Sequence, residues 1–227
     1  MKTLITCILF LSSLNIFGTT ITGVATANGK VIYTEKHNVT YNDKLMYDTM
    51  DSDYLDSKNV KFLSIKSDFK NSPYVSNGKV ENIKKNIVEI FSVDPSHKKM
   101  MIEKTENGKT YKLKMDLETD AIGNLGFHNY IVTHFDQLKN AGGDVYFINT
   151  QKLDQFKFNI VTTKKENGKV TFKVDPDNMI FRAFIPSMFL TYDEKTKRVL
   201  SFEGQSNIEG EDGKPAKVLI NYTYSAI

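Results

Sequence analysis

The apolar residues of this chain mostly alternate with polar ones, and that period of two predicts strands. In KVIYTEKHNV (30–39) Val31, Tyr33, Glu35 and His37 share one strand face, and Ile32 and Thr34 take the other. VKFLSIKSDF (60–69) repeats the alternation with Phe62 among lysines and serines. VENIKKNIVEIFSV (80–93) reads as one long strand stopped by Asp94-Pro95. KKMMIEKT and TYKLKMDL flank ENGK at 106–109, FKFNIVTTKK and KVTFKVD flank the same four letters at 166–169, and both read as hairpins. Asn-Gly-Lys recurs at 28–30 and 77–79, and Asp-Gly-Lys at 212–214, so five tight turns are expected. Asn-Gly and Asp-Gly accept the positive φ angles of a type I′ turn. SMFLTYD, RVLSFEG and AKVLINYTY supply three more strands.

One stretch changes period. In NLGFHNYIVTHFDQLKNAGG the apolar residues Phe127, Tyr130, Ile131, Phe135 and Leu138 fall at helical spacing. This predicts one main helix over about 126–140, with Asn124 as cap and Gly142-Gly143 as its end. A shorter helix around Asn178–Ile185 would stop at Pro186. The expected fold is mainly β (α+β), a curved antiparallel sheet or incomplete β-barrel wrapped around that main helix.

The amino end reads as a secretory signal: Met1-Lys2, then the apolar run Leu4 to Phe17, then small residues. Residues 1–18 are the expected signal peptide, with cleavage as late as 27, and 28–227 a single β domain with a central helix. The sole cysteine, Cys7, falls inside the signal and too early to be a lipoprotein cysteine. A mature chain without cysteine has no disulfides and depends on packing for stability. The expected location is therefore periplasmic or secreted, with no transmembrane segment in the mature chain. The net charge of +3 over 227 residues, with lysines interleaved among acids and only two arginines, Arg182 and Arg198, argues against a nucleic-acid partner.

Three stretches, VIYTEKH (31–37), GFHNYIVTHFDQL (126–138) and LTYDEKTKRVLSFEGQSNI (190–208, followed by EDGKPAKVLINY), together resemble a family of uncharacterised exported bacterial proteins. The family's shape is similar to the periplasmic lipoprotein carriers of the LolA and LolB type, curved sheets around an apolar cavity. That resemblance implies fold, compartment and a cavity, and it assigns no catalytic residue. One departure is that the mature chain here begins with strands, where LolA-type carriers often begin with a helix.

Candidate chemistry is sparse. Glu35 and His37 are two apart on one strand face, where a carboxylate could hold a base; the plainer expectation is an exposed polar face of the sheet. His128 and His134 are six apart on the helix, about 240° round, so they cannot share a metal. His97 follows Asp94-Pro95 in a turn. No nucleophile elbow, P-loop or dinucleotide fingerprint occurs, and neither a cofactor nor a metal is expected. In FEGQSNI, Gly204 suggests a bulge or close backbone approach, and Glu203, Ser206 and Asn207 form either a polar cluster at the rim or a locally bonded turn. Arg182 among Met179, Ile180, Phe181 and Phe184 is a snorkelling side chain, the partner of a buried acid, or a group that meets an anionic headgroup at a pocket mouth. With 15 Phe and 11 Tyr, aromatic residues could line a pocket, and Phe127, Tyr130, Ile131, Phe135, Phe181, Arg182 and Phe184 are its candidates. The leading functional expectation is a non-catalytic protein that binds a hydrophobic or lipid-like ligand between sheet and helix. The alternatives are an envelope structural or protein-interaction module with a solid core, and a hydrolase or isomerase built on Glu35 and His37 or on the Glu203–Asn207 run.

Overall fold

The computed structural model describes residues 18–96, 98–123, 125–150, 152–182, 185–209 and 215–226. The signal-like run, Cys7, His97, Asn124, Phe184 and the 212–214 turn lie outside the described residues. The chain begins with β1 (Gly18–Ala27), β2 (Lys30–Tyr41), β3 (Tyr47–Asp56) and β4 (Lys61–Asp68). It continues through β5 (Asn77–Asn82), β6 (Ile87–Asp94), β7 (Lys99–Glu106), β8 (Lys109–Asp116) and the two-residue β9 (Ala121–Ile122). The helices α1 (Gly126–Thr133) and α2 (Phe135–Ala141) follow, then β10 (Gly143–Asn149), β11 (Asp154–Glu166) and β12 (Lys169–Pro176). A single turn of helix, α3 (Met179–Arg182), precedes β13 (Met188–Asp193), β14 (Val199–Glu209) and β15 (Pro215–Ala226).

Among the described residues all fifteen strands form one sheet, in the order β8 to β1 and then β15 to β9. Every neighbouring pair is antiparallel except β9 with β10. The two halves meet at β1 and β15, from Thr19↔Ala226 to Thr26↔Leu219. β1 is thus a central strand. A cut at residue 27 would remove it, whereas a cut before Gly18 would leave the sheet whole.

This order forces curvature. β8 and β9 are the two edges, yet they are consecutive in the chain and separated by residues 117–120. Five Cα steps reach at most about 18 Å, whereas the fourteen inter-strand spacings of a flat sheet of this order would span roughly 67 Å. The sheet must curl until its edges approach. There the Gln155 side chain donates from Nε2 to the Asp116 carbonyl (2.9 Å) and accepts at Oε1 from the Glu118 N–H (2.9 Å). Met100, Ile102 and Met115 from one edge pack with Ala121 and Ile148 from the other. No ladder joins the two edges, so the sheet is not closed into a barrel.

The turn expectations divide. Asn28-Gly29, Asn107-Gly108 and Asn167-Gly168 are tight turns with φ between +51° and +75° at both residues. Asn77-Gly78 is no turn: both residues lie in β5, opposite Asp68 and Ser67. A Cβ on Gly78 would fall 2.0 Å from the Lys66 carbonyl oxygen, so glycine there serves close strand approach. The expected long strand 80–93 is instead the β5–β6 hairpin. Asn82 Oδ1 accepts the Lys85 N–H (2.9 Å) and Asn86 takes φ +53°, making a turn without glycine.

The expected main helix is present but interrupted at His134 (φ −104°, ψ 19°). Thr133 Oγ1 donates to the Asn129 carbonyl (2.8 Å), the back-bond that bends helices. Gly142 ends α2 with φ +72°. Leu125 is the N-cap of α1 and makes no side-chain capping bond. On the C-terminal half, Phe135 meets Phe172 edge-on (5.4 Å) and Leu138 is fully buried. On the N-terminal half, the buried Asn129 amide accepts the Tyr47 N–H (2.7 Å) and donates to the Tyr47 and Pro73 carbonyls (3.0 and 2.9 Å). That side chain docks α1 onto the start of β3, and no periodicity marks it.

Candidate functional site

A belt of polar side chains crosses the interior, built by register. β2 places Tyr33, Glu35, His37 and Val39 on the buried face; β3 sets Ser52 opposite His37 and Tyr54 opposite Glu35. Gly23 of β1 lies between Glu35 and Tyr222 of β15. A Cβ there would come 2.7 Å from the Tyr222 ring, so the missing side chain lets that ring cross β1 and reach Glu35.

His37 is the hinge of the belt. Its Nε2 is 3.1 Å from Glu35 Oε2 and its Nδ1 is 2.7 Å from Ser52 Oγ. A carboxylate can only accept, so Nε2 carries a proton toward Glu35, while Nδ1 and the Ser52 hydroxyl share the second hydrogen bond. Tyr222 O–H donates to the same Oε2 (3.2 Å). Tyr33 and Ser206 exchange a hydroxyl bond (2.9 Å), and Ser206 Oγ also accepts the Ile208 N–H (2.9 Å). Burial, with the Glu35 charge second, pushes the Tyr33, Tyr54 and Tyr222 phenols above their usual range, so they remain donors. Glu35 and His37 are therefore not an exposed polar face; they are 6% and 3% exposed.

The order serine, histidine, carboxylate is one that can activate a hydroxyl. Here it has no access. Ser52 is 2% exposed and sits mid-strand between its ladder partners His37 and Ile65, so its surroundings offer no pair of free N–H groups for an oxyanion. The belt is a satisfied buried network, which fixes how β2, β3, β14 and β15 face one another.

Toward the rim that carries the β1–β2, β3–β4 and β5–β6 turns, the belt gives way to an apolar cluster of Tyr33, Tyr54, Leu63, Val218 and Ile220. Against it pack the half-buried Phe62, Ile65 and Val80 from one side of the curl and Phe202, Ile208 and Ala216 from the other. Lys85 and Glu209 bridge the two sides at 2.7 Å. These side chains form a second apolar cluster, half-buried where the two sides of the curl meet.

The expected pocket residues lie elsewhere. Phe127, Tyr130, Ile131 and Phe135 are closely packed core under α1 and α2, at most 7% exposed, and line no opening. Phe181 is on the surface, edge-on to Phe156 at 5.2 Å. Arg182 pairs with no buried acid: its Nε donates to the Pro176 carbonyl (2.7 Å) and its Nη2 reaches Asn159 Oδ1 (3.4 Å). It borders an open depression of about 470 Å³ with Gly142, Gly143, Asp144, Asn159 and Asp175. The acids there are already bound, Asp144 by Lys157 and Asp175 by Lys173. Glu203 does not join Ser206; it pairs with Lys217 (3.5 Å) on the opposite face, and the Asn207 side chain is outside the described residues. Gly204 has the close approach, a Cβ there meeting Phe202 at 3.0 Å and Met188 at 3.1 Å.

His128 stacks between Tyr47 (4.1 Å, 16°) and Tyr192 (5.9 Å, 17°), and neither ring nitrogen has a hydrogen-bond partner. Burial pulls its pKa from 6.5 to about 3; the Leu45 backbone lies near enough to oppose this but is not in hydrogen-bonding geometry with either nitrogen. His134 is half-buried and lies against the Tyr130 ring (4.3 Å). Among the described residues no three His, Cys, Asp or Glu side chains are placed to hold a metal, and no helix is long and apolar enough to cross a membrane. The chain matches no family model and no curated protein.

Proposed function

We propose that the chain is a non-catalytic, exported binding protein. Its ligand is hydrophobic or lipid-like and enters between the half-buried side chains of this apolar cluster, which then serve as the mouth of the site, while the sheet wraps around the helix pair as a frame. The observation that carries this reading is the convergence of Phe62, Ile65 and Val80 with Phe202 and Ile208 from opposite sides of the curl, each half-buried against a buried apolar floor. Covering those surfaces with an acyl-like chain removes them from water, at about 0.8 kcal/mol per CH₂. The buried belt below, its polar groups already bonded to one another, bounds the depth of the site. The resemblance to lipoprotein carriers implies a cavity and the same compartment.

Titration with a ladder of simple acyl chains tests this. Affinity should tighten by about fourfold per added CH₂ until the mouth is full, and Val80→Asp should abolish it while the fold persists. Absence of any chain-length dependence would overturn the reading.

A further inference from the structure

Strand direction alternates along the sheet, so the β1–β2, β3–β4, β5–β6 and β10–β11 turns and the α3 connection all lie on one rim. Each presents an exposed apolar residue beside a cation in sequence. Val31 follows Lys30, Val60 precedes Lys61, and Ile83 precedes Lys84, with the three apolar residues 48%, 58% and 48% exposed. Leu153 follows Lys152, and α3 presents Met179 and Ile180, 83% and 70% exposed, ahead of Phe181-Arg182. At the turns of the opposite rim, among the described residues, the only large exposed apolar residue is Leu45. Of the carboxylates on the apolar rim, Asp56 accepts the Lys58 and Val60 N–H groups, Glu106 binds Lys104 and Glu209 binds Lys85, while Asp177 ahead of α3 is exposed, with Lys157 as its cationic neighbour.

Single exposed apolar residues need no explanation. Six at five connections of one rim, each connection carrying a positive charge within three residues, do. They are separate protrusions, so a protein partner would need a separate pit for each. A bilayer interface accepts such side chains individually into its acyl boundary while neighbouring cations meet the lipid phosphates. We infer that this rim docks on an anionic lipid bilayer, with the α3 tip inserted deepest. The inference is separable from the ligand reading because α3 takes no part in the apolar cluster proposed to hold the ligand, so its variants read the rim and Val80→Asp reads the cluster.

The test is flotation of the folded protein with vesicles of phosphatidylcholine, with and without phosphatidylglycerol. Binding should require phosphatidylglycerol and weaken with salt. Met179→Ser with Ile180→Ser should reduce partitioning on the order of a hundredfold, and Lys84→Glu with Lys152→Glu at least fivefold. Both positions of the first pair are highly exposed, so the variant should melt like the parent. Because the chain has no tryptophan, Phe181→Trp gives a single reporter whose emission should shift blue on phosphatidylglycerol vesicles only. Equal binding to neutral vesicles, an unmoved reporter, or full binding by the serine variant would each overturn the proposal. So would a dimer that forms through this rim without lipid binding.

Discussion

His128 makes the stability of this fold depend on pH in a way that can be calculated. The ring is buried between two tyrosines with both nitrogens unbonded, and burial lowers its pKa from 6.5 to about 3. The unfolded chain protonates this histidine below about pH 6.5 and the folded chain does not until about pH 3. Stability is therefore lost as pH falls through that window and levels off below it. Linkage gives a loss of about 2 kcal/mol between pH 7.5 and pH 5, and about 3 kcal/mol by pH 4. For a chain of this size that is roughly 4–8 °C of Tm at pH 5. His128→Phe keeps an aromatic ring between Tyr47 and Tyr192 and removes the titration. Chemical denaturation of both proteins across this pH range isolates the histidine, because all other titrating groups are common to the pair. The variant should lose about 2 kcal/mol less than the parent on going to pH 5. Equal slopes would refute the reasoning and mean that the ring finds a proton partner in the folded state.

Other outcomes follow from single contacts. Gly78→Ala places a Cβ against the Lys66 carbonyl and should cost more than about 2 kcal/mol, whereas Gly108→Ala, with open space around a positive φ, should cost about 1 kcal/mol; equal losses in urea denaturation would contradict the strand placement of Gly78. Ser52→Ala leaves His37 Nδ1 without its hydrogen-bond partner and should destabilise by about 1–3 kcal/mol, again read by denaturation. Gln155→Ala opens the seam between the sheet edges and should speed amide exchange at Glu118 while leaving the β1–β15 amides protected.

Alternation and Asn-Gly pairs made the strands legible, and the period change at 126–138 made the helix legible. Both signals are local. What escaped was set by contacts between distant segments. Asn77-Gly78 has the letters of a turn, but its glycine answers to the Lys66 backbone across the β4–β5 pair. The turn at 83–86 uses Asn82 and Asn86 in place of glycine, so 80–93 reads as continuous. Glu35 and His37 were visible as a pair on one face; that the face is buried, and that Ser52 and Tyr222 complete the network, depends on strand order and on the gap at Gly23. The aromatic spacing of 127–135 correctly marks a buried face, but spacing cannot distinguish a packed core from a cavity wall. The second apolar cluster draws on β4, β5, β14 and β15, segments that meet only because the sheet curls.

On the proposed function, the apolar cluster between the two sides of the curl holds a hydrophobic ligand. Native mass spectrometry of the protein purified from its own compartment without detergent, with solvent extraction in parallel, tests it most directly. The expected result is a stoichiometric adduct that extracts as lipid and is lost in Val80→Asp. A bare protein mass, from material that melts cooperatively and also ignores added acyl chains, would contradict it.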